Sequence, residues 1–67
     1  MQAFCNRFKL LREEKQISAL ALSKELNVHH STVIRWEKGE VVPSIDHLYN
    51  IATYFGVSAD YLIGLEE

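Results

Sequence analysis

The sequence predicts a compact, all-α domain of five short helices, and three features of its pattern indicate this. Apolar residues recur at helical spacing, as Phe4, Phe8 and Leu11 do near the start. Serine precedes and glycine or asparagine follows several of these segments, as at helix ends. No segment alternates apolar and polar residues as a half-buried strand does. With 67 residues the chain has the length of one domain, which we expect to span 1–67.

The first two helices are predicted from apolar faces and end signals. The first covers residues 3–15, where Leu10 is expected to widen its apolar stripe. The second follows Ser18, because a serine hydroxyl accepts a hydrogen bond from an otherwise unpaired amide. Leu22 and Leu26 share one face of this helix, and Asn27 ends it because asparagine tolerates a left-handed turn.

The third helix is predicted from His29 to Glu37 or Lys38, closed by Gly39. Its apolar positions indicate which side chains face the core, namely Val33 and Trp36. After a loop, two further helices are expected, each opened by a serine and closed by a glycine. They run from Ser44 to Gly56 and from Ser58 to Gly64.

Charge is unevenly distributed along the chain. The net charge is −2, yet all seven basic residues lie in 1–38 with four acidic residues, a balance of +3. Residues 39–67 hold five acidic residues and no basic one, a balance of −5. This polarity indicates a basic surface that meets an anionic partner, and the alternative is chance scatter in a short chain.

Composition excludes several classes of protein. Hydrophobic residues make up 48% and charged residues 24%, which is typical of a folded globular domain. No apolar run approaches the roughly 18 residues of a membrane span. The single cysteine, Cys5, cannot form an internal disulfide, so a reducing, cytoplasmic location is expected.

An ordered set of landmarks runs along nearly the whole chain. They are Phe8, Leu11-Arg12, Ser18, Leu22, Leu26, Val28, residues 31–39, Pro43-Ser44, Leu48, Ile51-Ala52, residues 55–58 and 61–64. With this order and spacing the chain resembles the lambda-repressor-like, Cro/cI-type (XRE-like) helix-turn-helix family. The resemblance implies a transcriptional regulator, more often a repressor, that binds double-stranded DNA as a homodimer and needs no cofactor. It also implies a near-palindromic operator, and a dimer face on the last helix and its neighbours.

The resemblance places the third helix in the major groove of DNA. The base-contact candidates on its outer face are His30, Ser31, Ile34 and Arg35. Arginine can bond guanine bidentately, whereas Ile34 either meets a thymine methyl or is a stray apolar residue. The backbone-contact candidates are Arg12, Ala19, Lys24, His29, Thr32 and Lys38.

The resemblance further implies an ion pair between Arg12 and Glu37. Two alternatives stay open, since both groups could be plain surface charges, or Arg12 could lie near a phosphate. Ala19 departs from the family pattern, because a phosphate-binding glutamine is usual there. His29 replaces the usual serine or threonine cap, and the Glu40-Val41-Val42 loop replaces basic residues. These departures predict DNA binding that is either weak or unusually specific.

Functions other than DNA reading have less support in the sequence. The same departures and the net charge favour a second hypothesis, a protein-interaction module that is antitoxin-like or binds a regulatory protein such as an anti-repressor.

Nothing suggests an enzyme, since no nucleophile turn or glycine-rich phosphate loop is present. Adjacent histidines on a helix diverge by about 100°, which disfavours a zinc site at His29-His30. Cys5 is expected to be a partly buried thiol rather than a redox sensor. The three tyrosines are expected at the core rim, at Tyr49, Tyr54 and Tyr61.

Overall fold

Five α-helices and no strands make up the computed structural model, which describes residues 1–67. They are α1 (Gln2–Glu14), α2 (Ala19–Leu26), α3 (His30–Lys38), α4 (Ile45–Phe55) and α5 (Ala59–Ile63). The all-α, five-helix prediction is confirmed, with α1 shifted by one residue at each end. Helix α3 begins one residue later than expected, because His29 serves as its N-cap. None of the five helices has the length and apolar character needed to cross a membrane.

Serine hydroxyls open three of the helices, as the sequence predicts. Each hydroxyl accepts a hydrogen bond from the backbone N–H three residues later, at 3.0 to 3.2 Å. The pairs are Ser18 with Ala21, Ser44 with His47 and Ser58 with Tyr61. Each bond satisfies one of the amides that a helix start leaves without an intrahelical acceptor.

Replacing Ser18 with alanine should lower the free energy of unfolding by about 1 kcal/mol, because the amide of Ala21 loses its acceptor. The loss should appear in a urea titration followed by circular dichroism. Ser18→Gly is the matched control, and it should lose only a few tenths of a kcal/mol. Equal stability of Ser18→Ala and the unaltered chain would show that this cap contributes nothing.

Helix ends turn through left-handed residues at two positions that matter for the site. Asn27 ends α2 with φ +58°, as expected of asparagine. Gln16, between α1 and α2, also has φ +58°, and no sequence signal marks it. The turn around Gln16 is held from outside, since the Arg12 guanidinium donates to the carbonyl of Ile17 at 3.0 Å.

The core lies between the helices and is built around aromatic rings. Phe8 stacks on Phe4 with ring centroids 5.3 Å apart and meets Trp36 edge-on at 5.7 Å. Val33 and Trp36 are buried, as predicted for the inner face of α3. Leu22 and Ile51, from α2 and α4, are fully buried in the same cluster. This packing fixes α3 against its neighbours and leaves its opposite face to solvent.

Two predictions about apolar and aromatic side chains are wrong. Leu10 does not widen the buried stripe of α1, since it is 47% exposed and no helix covers that side. Tyr49 is not at the core rim, because it lies on the outer side of α4 and is 70% exposed. Tyr54 and Tyr61 are half-buried, as expected. The Arg7 guanidinium lies over the Tyr61 ring, with its central carbon 4.4 Å from the ring centroid.

Candidate nucleic-acid interface

A tight turn joins α2 to α3. The backbone N–H of Val28 donates to the carbonyl of Ser23 at 2.9 Å, which closes α2 just after the left-handed Asn27. Val28 packs against the core, and Leu26 is buried at the end of α2. The turn therefore has little freedom, and α3 is held at one angle to α2.

His29 caps the start of α3 with its imidazole ring. Its Nδ1 accepts a hydrogen bond from the backbone N–H of Ser31 at 3.1 Å. The same nitrogen lies 2.9 Å from the Ser31 hydroxyl. Histidine thus supplies the capping acceptor that serine or threonine usually supplies at this position. The cap also holds the Ser31 side chain near the beginning of the helix.

The outer face of α3 carries the predicted base-contact residues. His30, Ser31 and Arg35 are exposed, whereas Ile34 is half-buried. Lys38 follows Ser31 by seven residues, which is two helical turns, so it lies on the same face. This face is apolar only at Ile34 and basic toward its end, which suits the edges and phosphates of a nucleic acid.

The remaining backbone-contact candidates border this face. Lys24 is exposed on α2, while Thr32 and Ala19 are half-buried. The Ala19 side chain packs against the core and offers no polar atom. By helix geometry, its backbone amide has no acceptor within α2 and can point to a ligand.

Arg12 and Glu37 lie together in a bidentate ion pair that joins α1 to the end of α3. Arg12 Nε donates to Glu37 Oε2 at 2.5 Å, and a terminal nitrogen donates to Oε1 at 3.1 Å. The side chains are only 17% and 9% exposed. The hydrogen bond to Glu37 raises the pKa of Arg12, although burial opposes this. A third donor bonds the carbonyl of Ile17, so the guanidinium is engaged within the protein.

A second, exposed ion pair lies at the outer face of α3. Arg35 Nε is 3.8 Å from Glu40 Oε1, with the side chains 59% and 55% exposed. In the sequence, Glu40 is recognisable only as a departure from the family pattern, and its pairing with Arg35 was not predicted. The signal available was Gly39, whose left-handed turn at φ +76° brings the next residue back toward the helix.

His47 and Cys5 take part in packing within the fold. The His47 ring meets Trp36 at 5.5 Å between centroids. The Cys5 thiol is buried and donates to the carbonyl of Gln2 at 3.4 Å. No three His, Cys, Asp or Glu side chains converge in a way that could hold a metal ion.

An apolar groove lies apart from the exposed face of α3. It has a volume of about 120 Å³, and it is lined by Met1, Phe4, Val42, Pro43, Leu48 and Ile63. Further apolar side chains are exposed in the C-terminal half of the chain, at Ile45, Tyr49 and Leu65. Apolar surface of this kind is typical of contact with another protein.

A helix held by a short turn on its neighbour, with an exposed polar and basic face, is the arrangement of a helix-turn-helix domain. Comparison with known proteins agrees. The helix-turn-helix family matches residues 8–62, and the chain belongs to this family. Its members are regulators of the Cro/cI-type, XRE-like kind, which is not an enzyme class.

Individual relatives cover most of this chain but differ in length. The HTH-type transcriptional activator BcrR of Enterococcus faecalis is 30% identical over 96% of this chain, which spans 31% of BcrR. The uncharacterised HTH-type transcriptional regulator MJ0272 of Methanocaldococcus jannaschii is 32% identical over 92% of this chain and 94% of its own length.

A solved structure has the same fold. It is the crystal structure of a transcriptional regulator from Listeria innocua, with a TM-score of 0.88 and 33% identity. The match covers 96% of this chain and 60% of that chain. At this identity and coverage the five-helix arrangement described above is that of a known regulator.

Proposed function

We propose that this chain, as one domain spanning 1–67, is a sequence-specific regulator that reads double-stranded DNA with α3 in the major groove. The observation that carries the proposal is the outer face of α3, where His30, Ser31 and Arg35 are exposed while Val33 and Trp36 anchor the inner face. The major groove is about 12 Å wide and admits one helix. A helix anchored in this way can enter the groove without unfolding its support.

The side chains divide into two roles. Base edges are read by His30, Ser31, Ile34 and Arg35, with Arg35 on a guanine and the exposed part of Ile34 against a thymine methyl. The DNA backbone is held by Lys24, His29, Thr32, Lys38 and the amide of Ala19. Arg12 is assigned to its ion pair with Glu37 rather than to a phosphate, because three of its nitrogens already donate within the protein.

We further propose that the protein binds a near-palindromic operator as a homodimer and represses transcription in the cytoplasm. Ile45, Tyr49 and Leu65 are 84%, 70% and 73% exposed, which supports an apolar contact between copies through the C-terminal half. A two-fold dimer places its reading helices about one DNA turn apart. The other acidic residues of this half, Asp46, Asp60, Glu66 and Glu67, then lie away from the phosphates. An operator-bound dimer excludes other proteins from the same DNA, so repression needs no further contact.

Selection from randomised duplex DNA, read by sequencing, tests the proposal. We expect a near-palindromic motif with two half-sites about 10 base pairs apart, centre to centre. The selection is run in low salt, where phosphate contacts are strongest. Failure to enrich any motif under these conditions would refute sequence-specific reading.

Lys38→Ala should weaken binding to the selected operator and to random DNA by the same factor. Lysine contacts phosphate, which carries no sequence information. The slope of log affinity against log salt should become shallower by about 1. Fluorescence anisotropy at several salt concentrations measures both effects. A loss confined to the operator would contradict the backbone role and make Lys38 a base reader.

A second candidate function is binding of a regulatory protein, with DNA contact reduced. The apolar groove beside Val42, Pro43 and Leu48 favours it, as does the acidic C-terminal half. Co-purification of a stoichiometric protein partner, together with DNA affinity no better than background, would decide for this candidate. Val42→Asp should then abolish the protein contact and leave the outer face of α3 unchanged, because Val42 lines the groove and is 57% exposed.

A further inference from the structure

The exposed ion pair between Arg35 and Glu40 lies at the edge of the reading face. Arg35 Nε is 3.8 Å from Glu40 Oε1, and both side chains are more than half exposed. This distance is that of an ion pair rather than a hydrogen bond, so the attraction is electrostatic and screened by salt. Among the described residues, Glu40 is the carboxylate paired with a proposed base reader.

The position of Glu40 is set by the end of α3. Its backbone N–H donates to the carbonyl of Arg35 at 3.0 Å, and Gly39 turns the chain back with φ +76°. The two residues are therefore joined twice, once through the backbone and once through the side chains. The backbone of Glu40 is therefore fixed relative to the end of α3, and this keeps its carboxylate beside Arg35.

The ion pair with Glu40 leaves part of the Arg35 guanidinium free to donate hydrogen bonds. Arginine has five N–H donors in a planar fork. The carboxylate lies on the Nε side, so the two terminal nitrogens remain available. Those nitrogens are the donors that bond the O6 and N7 of guanine bidentately. A carboxylate at this place also repels phosphate, the other acceptor that Arg35 can find on DNA.

We propose that Glu40 is a positioning residue for Arg35, which directs the guanidinium fork to a base edge and disfavours its contact with phosphate. Glu40 thereby lowers affinity for DNA in general and raises discrimination at one base pair. This inference rests on the proposed function, because it assigns a role within the same reading face. It gives a physical reason for an acidic residue beside a DNA-binding surface.

Glu40→Gln tests the inference, with the selected operator and operators altered at the base pair read by Arg35. Discrimination at that base pair should fall about two- to fivefold, the range of an exposed ion pair. Affinity for random DNA should rise at the same time, most clearly at low salt. Glu40→Asp keeps the carboxylate and should retain most of the discrimination. Glu67→Gln removes the same charge at an exposed position and should leave discrimination unchanged.

Two further measurements separate positioning from a general change of charge. In the Arg35→Ala background, Glu40→Gln should no longer alter discrimination at any base pair. In the free protein, the NMR resonance of the Arg35 Nε–H group should shift in Glu40→Gln and should stay unchanged in Glu67→Gln. Unchanged discrimination in Glu40→Gln, with a motif still selected, overturns the inference and leaves the proposed function standing. Absence of any motif for the unaltered chain overturns both.

Discussion

Arg35→Ala is expected to reduce discrimination at one operator base pair by about 5- to 150-fold, which corresponds to 1–3 kcal/mol. Alanine removes the guanidinium that is proposed to bond a guanine, and its methyl group has no donor to offer the base. Arg35 is exposed and its one ion pair, with Glu40, is weak. The fold should therefore survive, and the effect should appear only in DNA reading.

The measurement is a repeat of the DNA selection with the Arg35→Ala protein. The motif should keep its other positions and lose its preference at one position in each half-site. Lys38→Ala is the matched control, because it removes one positive charge from the same face and should leave the motif unchanged. Equal losses on operator and random DNA for Arg35→Ala would contradict base reading and make Arg35 a phosphate contact.

Glu37→Ala is expected to lower the free energy of unfolding by about 3 kcal/mol, near the lower end of the range for breaking a buried ion pair. The variant leaves the Arg12 cation, only 17% exposed, without its carboxylate. Alanine is the best helix former, so a lost helix propensity in α3 cannot explain a destabilisation. Domains of this size have a stability of only about 5 kcal/mol, so most of it would be lost.

Thermal unfolding followed by circular dichroism measures this effect. A loss of about 3 kcal/mol should lower Tm by roughly 12 to 24 °C in a domain this small. The exposed pair provides the control, since Glu40→Ala should lose about 1 kcal/mol or less. Replacing both partners, with Arg12→Met and Glu37→Leu, should lose less than Glu37→Ala alone, because no uncompensated charge remains. A double variant as unstable as the single one would show that the loss does not come from an uncompensated charge.

The helices could be predicted because their signals are local. The hydroxyl of Ser18 and the amide of Ala21 are three residues apart, so both groups of the cap lie within one helical turn. The same holds for Asn27, whose own backbone preference permits a left-handed turn. Gln16 adopts this conformation without such a preference. It is held by a contact between Arg12 and Ile17, which only a folded α1 and its exit can make.

The exposure of apolar side chains depended on which helix faces which. Leu10 and Leu11 are adjacent and equally apolar, yet Leu11 packs against the core and Leu10 is 47% exposed. Periodicity indicates a face but not its width, because the width is set by the neighbouring helices. Tyr49 shows the same limit on α4, where no element covers its side.

The sequence predicted which residues form the outer face of α3, but it did not predict that Arg35 pairs with Glu40. Helical spacing put Val33 and Trp36 on one side of α3 and thereby put Arg35 on the other, since a helix has only one core-facing side. The partner of Arg35 could not be read in this way. Glu40 lies beyond the end of α3, and its approach depends on the left-handed turn at Gly39.

By itself, the sequence determined the five helices, the serine caps of three of them and the inner face of α3, because these follow from preferences that act within about four residues. It also carried the landmarks that place the chain in its family. Only the tertiary structure decided that Arg12 and Glu37, 25 positions apart, meet in a nearly buried pair. It alone decided that Glu40 stands beside Arg35 and that the apolar groove opens beside Leu48. These features depend on how separate helices are oriented, and that orientation is the result of packing the whole core at once.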